Sequence, residues 1–140
     1  MKLIDVNILV HAHRQDADRH QEIALWMDRD RERQGGIAVS DLILSSFIRI
    51  ATHPKIFKTP TPLLQAIEFA DELRKRHGVS VIAPRSRNWQ IFTQLCTDAD
   101  ARGNHTPDAF HAALAIEYGI EFITLDRGFA RFPNLRWRSP

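Results

Sequence analysis

Three aspartates stand where an alternating chain can bring carboxylates together. They are Asp5 at the end of KLID, Asp126 at the end of IEFITLD, and Asp108 directly after Pro107 in TPDAF. Each has a plain structural role of its own. Asp5 can cap a helix that opens near Asn7, Asp126 can close an Asx turn ahead of Arg127 and Gly128, and Asp108 can complement the positive end of a helix. The three together imply more. Carboxylates held close repel one another, and a hard divalent cation with oxygen ligands relieves that repulsion. Mg²⁺, or Mn²⁺ in its place, is the ion suggested. Such an ion orients and activates a water for in-line attack on a phosphodiester and steadies the leaving oxygen.

The segments that must position these acids alternate between strand and helix patterns. Lys2 to Ile8 is short and rich in β-branched side chains, so it reads as a strand that ends near Asp5 and leads into a helix. Residues 16–34 then carry Ile23, Trp26 and Met27 at helical spacing, with Gly35 and Gly36 as a stop. GIAVS is a second strand, and DLILSSFIRIATHP is a helix that ends before Pro54. The next helix takes Thr61 as its cap and Pro62 as its first residue and closes at Gly78. VSVIAP is a strand, SRNWQIFTQLCTDADARG a helix, and TPDAFHAALAIEYG another, with Thr106 capping, Pro107 starting and Gly119 stopping it. IEFITLD is the last full strand and LRWR a short edge strand. This order predicts a single α/β domain over residues 1–140, built around a mainly parallel sheet. The carboxyl ends of parallel strands share one edge, where a crevice opens, so the acids at the strand ends are expected to meet there.

Composition bounds the function. The chain has 140 residues, 44% hydrophobic and 26% charged, which suits a core-forming globular domain. Its one cysteine, Cys96, excludes an intrachain disulfide and a multi-cysteine metal site. No apolar run approaches the ~20 residues that span a bilayer, and no signal-peptide pattern opens the chain, so a cytoplasmic, membrane-free protein is expected. A net charge of +2 does not announce nucleic-acid binding. The cations are uneven, however: Arg127, Arg131, Arg136 and Arg138 crowd one end, and Lys55, Lys58, Arg85 and Arg87 follow element ends, a placement open to a phosphate-bearing partner. DRDRER at 28–33 mixes signs and reads as a solvated helix face.

Beyond these local readings, LIDVNILVHA, DLILSSFIRIATHPKIF, PDAFHAALAIEYG and FITLDRGFARFPNLRW resemble, in order and over almost the whole chain, the successive motifs of PIN-domain ribonucleases of the VapC toxin type. The resemblance implies a PIN-like three-layer α/β sandwich and a Mg²⁺-dependent endoribonuclease. It implies also a homodimer that cuts cellular RNA, arrests growth and is neutralised by a cognate antitoxin. Carried over, Asp5 and Asp108 match the metal-binding aspartates and Asp126 the later acid that completes the site. Asn7 and Thr124 match small polar positions near the metal.

One position departs from that pattern. The family commonly carries a glutamate where this chain has Ser46, and a hydroxyl can bond a metal-bound water but brings no charge, so weaker binding or a single ion is expected. Asp41 is a conceivable substitute, but five residues back on a helix it points elsewhere. Arg49, in FIRIAT, either extends to the surface or pairs with the acids or an RNA phosphate. The alternative function is a PIN-like domain that has lost turnover and binds RNA or a protein. The pair His11 and His13 resembles the His-x-His of barrel amidohydrolases, whose scaffold of ~250 residues this chain is too short to build. None of the seven histidines shows a ligand spacing and none is assigned to metal, His11 and His13 being read as separate surface or rim groups. A receiver domain needs two adjacent acids after its first strand, and Asp5 is flanked by Ile4 and Val6.

Overall fold

A computed structural model describes all residues 1–140. Five short strands form one parallel sheet: β1 (Lys2–Ile4), β2 (Ile37–Val39), β3 (Val79–Val81), β4 (Glu121–Ile123) and β5 (Trp137–Arg138), in the order β3-β2-β1-β4-β5. Register is set by pairs such as Lys2 with Ile37 and with Glu121, and Ile37 with Val79. Leu3, Ile4, Ile37, Val39, Phe122 and Ile123 are all 0% exposed. A parallel sheet covered on both faces selects such unbroken apolar runs, which is why these strands do not alternate in polarity.

Six helices flank the sheet: α1 (Val6–His13), α2 (His20–Arg31), α3 (Asp41–Ala51), α4 (Leu63–Lys75), α5 (Asn88–Asp98) and α6 (His105–Tyr118). They pack as two groups, α1 on α2 and α3 with α3 on α4, and α5 on α6. α3 forms because Ser40 accepts a hydrogen bond from the Ile43 N–H at 3.2 Å, and because Ile43, Leu44, Phe47 and Ala51 bury one stripe. α6 buries Ala109, Ala112, Ala113 and Ala115, small residues that let it lie close to its neighbours. Gly119, at φ 65°, ends it in the left-handed conformation that glycine adopts without cost.

The chain builds outward from β1 to β2 and β3, then crosses to the opposite side of β1 for β4 and β5. That reversal is a topological switch point, and the crevice it leaves lies at the carboxyl ends of β1 and β4. α6 turns directly into β4 and runs back against it, so its N-terminal turn, with Asp108, lies toward that same edge.

Several local expectations are corrected. Thr61 does not cap α4, which begins at Leu63 after Pro62, because its hydroxyl accepts from the buried Arg14 guanidinium instead. Thr106 does not cap α6 either; the helix starts at His105, and the Thr106 hydroxyl donates to the Ala101 carbonyl. α2 starts only at His20, four residues after its expected start. The mixed-sign run is not wholly solvated: Asp30 is 1% exposed and pairs with Lys2 at 2.5 Å, which pins α2 to the start of β1. For Thr61 and Asp30 a tertiary partner outcompetes the local rule.

Candidate active site

Asp5 is the residue immediately after β1 and the N-cap of α1, its Oδ1 accepting from the Val6 N–H at 2.7 Å. Its Oδ2 accepts from the Asn7 amide at 2.8 Å and from the Thr124 hydroxyl at 2.5 Å. Thr124 follows β4 and is fully buried, so one hydroxyl joins the two strand ends. That hydroxyl accepts in turn from Asn7 Nδ2 at 3.0 Å and from the Asp126 N–H at 3.0 Å. The Leu125 N–H closes the network on Asn7 Oδ1 at 3.2 Å. Sequence places these groups more than a hundred residues apart; the adjacency of β1 and β4 makes them neighbours.

The three acids line one cavity of about 420 Å³, together with Asn7, Ser46 and Arg49. Asp126 caps a 3₁₀ turn over Arg127–Arg131, its Oδ1 accepting from the Gly128 N–H at 2.7 Å, so the Asx-turn role and a place in the cavity coexist. Asp108, half-buried in the first turn of α6, has His105 Nδ1 at 3.5 Å. Burial pushes the Asp5 carboxyl up to about 6; the Thr124 and Val6 hydrogen bonds oppose that rise, and the charges of Asp108 and Asp126 add to it. Asp108 is also raised, first by burial and then by Asp126, while His105 and Arg131 pull it down. Asp126 therefore raises the energy of ionising Asp108, and both raise that of Asp5, which is the electrostatic signature of a site that gains from a cation.

The donors are suited to a particular kind of ion. No three His, Cys, Asp or Glu side chains close around one point as a formed cage. Mg²⁺ does not demand one, since it commonly keeps several waters and takes only one or two carboxylates directly, with the other acids bonding those waters. The cavity has the volume for that water shell, and Asp5 is held rigidly by three donors. Asn7 and Thr124 act on Asp5 as orienting groups.

The remaining expected residues fall on two sides. Ser46 and Arg49 both lie on the cavity wall, and Arg49 is exposed there without an ion-pair partner. Asp41 is not on that wall; it is exposed and pairs with Arg74 of α4, which rules it out as a stand-in for the missing acid. Of the C-terminal arginines, Arg136 bonds the Gly119 carbonyl and Arg138 pairs with Glu121 at 3.0 Å, so both serve the fold. Arg131 stays near the acids, its Nε donating to the Gly128 carbonyl at 2.7 Å. His13 packs edge-on against Phe47 and at a tilt against Phe69, as a packing residue should. Sequence reasoning missed His11 and His111, which line the cavity. The signal for His111 was its spacing, three residues after Asp108 on one helix face.

The chain matches the PIN domain family over residues 2–135. It is 38% identical to ribonuclease VapC43 of Mycobacterium tuberculosis over 140 residues, covering all of this chain and 95% of that protein. It is 36% identical to ribonuclease VapC25 of the same organism, covering all of this chain and 99% of that one. Among solved structures it resembles VapBC2 of Rickettsia felis bound to a promoter DNA fragment, with a TM-score of 0.72, 19% identity, and 99% and 98% of the two chains covered. It also resembles VapC20 of M. tuberculosis, a sarcin–ricin loop cleaving toxin, with a TM-score of 0.69, 16% identity, and 97% and 99% covered.

Proposed function

Because this chain belongs to the PIN-domain family and groups with its VapC ribonucleases, we propose that it is a divalent-metal-dependent endoribonuclease, the toxin of a toxin–antitoxin pair. The observation that carries this reading is the shared cavity of Asp5, Asp108 and Asp126, in which burial and two neighbouring carboxylates push Asp5 up to about 6. Those three acids would hold Mg²⁺ or Mn²⁺. When bound, the ion supplies a nucleophilic water at neutral pH and neutralises charge on the phosphate oxygens. Thr124 and Asn7 hold Asp5 in one orientation. Arg49 and Arg131 at the rim attract the RNA backbone without reading its bases. No covalent protein nucleophile is needed, since positioning supplies much of the rate. A cytoplasmic homodimer neutralised by a cognate antitoxin, with all 140 residues as one domain, completes the proposal; no helix is long and apolar enough to cross a membrane.

One observation favours a second reading. Ser46 stands on the cavity wall where the family commonly has a glutamate, so the site carries one charge fewer, and a domain that binds RNA without cutting it would tolerate that loss. Incubation of the purified protein with total RNA, with and without Mg²⁺ and beside Asp5→Asn, separates the two. Cleavage that needs the metal and disappears in the variant supports the enzyme. Binding without cleavage in Mg²⁺ and in Mn²⁺ supports the binding module.

A further inference from the structure

Arg131 is held in a way that Arg49, the other free cation of the site, is not. Its Nε donates to the Gly128 carbonyl at 2.7 Å, while Nη1 and Nη2 make no hydrogen bond or ion pair within the chain. The same turn carries Asp126, whose Oδ1 accepts from the Gly128 N–H at 2.7 Å. Gly128 separates the two side chains: a Cβ added there would lie 2.9 Å from Arg131 Nη2 and 2.9 Å from Asp126 Oδ1. Its φ is outside the left-handed region, so backbone conformation does not explain a glycine at this position. What the missing side chain leaves is room for the guanidinium over the turn, on the side of the acids. Burial and Asp126 raise the Asp108 carboxyl, and Arg131 is among the groups close enough to oppose that rise. Yet Arg131 forms no ion pair with Asp108 or Asp126.

A guanidinium tethered at Nε presents its two η nitrogens as a fixed fork, the shape that takes two oxygens of one phosphate. Tethering also removes in advance part of the side-chain entropy that such a contact would cost. We propose that Arg131 grips, through Nη1 and Nη2, one phosphate of an RNA strand lying against the three acids, and that Gly128 is bare so that the fork can stand there. The inference rests on the reading of this cavity as a nuclease site. To the general attraction of a rim cation it adds a directed contact, with Gly128 as its positioning residue.

The test uses the full chain and a short single-stranded RNA, with binding read by fluorescence anisotropy in Ca²⁺ across a salt series. Arg131→Gln should weaken binding roughly tenfold, the scale of a hydrogen bond to a charged group. It should also reduce the slope of log affinity against log salt by about 0.7, the share of one phosphate on a single strand. Gly128→Ala should produce the same two losses, and the double variant no more than either alone. The rise in melting temperature on adding Mg²⁺ should survive in Arg131→Gln. Arg127→Gln, exposed on the same turn but untethered, should change the slope less. An unchanged slope in Arg131→Gln, an equal loss in Arg127→Gln, or loss of the Mg²⁺ effect overturns the contact. Additive losses in the double variant, or none in Gly128→Ala, overturn the role of Gly128. If Arg131→Gln does not fold, judged by its circular dichroism melt, Gly128→Ala carries the test: a lower slope supports the contact and an unchanged one overturns it. Failure of the contact while the wild type still cuts RNA leaves the nuclease reading intact. A wild type that neither binds nor cuts any RNA defeats both.

Discussion

Asp5 accepts three hydrogen bonds, each of which favours its ionised form, and yet its carboxyl is pushed up to about 6. Burial and the repulsion of two acids outweigh the donors, so in the metal-free protein folding favours the protonated group. The stabilisation this brings is fully present below the ordinary value of 3.8 and is lost as pH rises through about 6. A gap of this size corresponds to roughly 3 kcal/mol. Asp5→Asn, neutral throughout, should therefore gain stability relative to the wild type by that order as pH is raised across this window. Thermal melting in EDTA reads it, and a pH-independent difference rejects it. His111 acts in the opposite direction: its value falls from 6.5 to about 4, so the stability it contributes is present above 6.5 and is lost as pH falls through about 4. The two effects oppose each other in the wild type, and Asp5→Asn should expose the acid sensitivity of His111. Thr124→Val removes the hydroxyl that joins the ends of β1 and β4 and should cost roughly ten- to a hundredfold in cleavage, with little change in RNA affinity.

At the scale of elements, the site depends on where helices begin and where turns are tight. Ser40→Ala removes the cap of α3 and should cost about 1 kcal/mol in urea unfolding. Glycine is required more strictly elsewhere. At Gly78, φ is +77° and an added Cβ would lie 2.0 Å from the Arg31 carbonyl oxygen, where β3 begins beside the end of α2. At Gly119 the φ is similar, but nothing lies within 4 Å of the added atom. Gly78→Ala should therefore cost more than about 2 kcal/mol, because backbone must move, whereas Gly119→Ala should cost about 1 kcal/mol from φ alone. Equal losses would show that the Gly78 contact relaxes freely. The misread starts of α4 and α6 belong to this scale as well. Thr61 and Thr106 each precede a helical run and satisfy the local cap pattern, but their hydroxyls bond Arg14 and Ala101. A cap rule weighs only the residues that follow the cap, whereas the Arg14 bond depends on how the chain returns and the Ala101 bond on the turn just before α6.

Across the whole molecule, the sheet order turns remote carboxylates into one anionic cavity in a chain of net charge +2. A cation that binds the folded form alone must stabilise it by mass action. Mg²⁺ at a hundredfold excess over its dissociation constant should add about 2.7 kcal/mol, read as a higher melting temperature in the wild type and no rise in Asp5→Asn. An equal rise in both would place the binding elsewhere. RNA affinity should fall with salt, but gently, since few cations remain free at the rim once Arg136 and Arg138 are engaged with β4 and the end of α6. A steep salt dependence would mean that a wider basic surface takes part.

Sequence alone determined the strand and helix alternation, the parallel sheet and the acids at its edge, because each follows from periodicity and from the rule that parallel strands end together. The motifs in LIDVNILVHA, PDAFHAALAIEYG and FITLDRGF were enough to point to the family. Tertiary structure alone decided that Asp41 is spent on Arg74, that Asp30 is buried against Lys2, and that Ser46 and Arg49 face the acids. It alone revealed the unpartnered nitrogens of His11 and His111. Burial and hydrogen-bond satisfaction are properties of a group's surroundings in space, and no pattern along the chain records which surroundings remain unfilled.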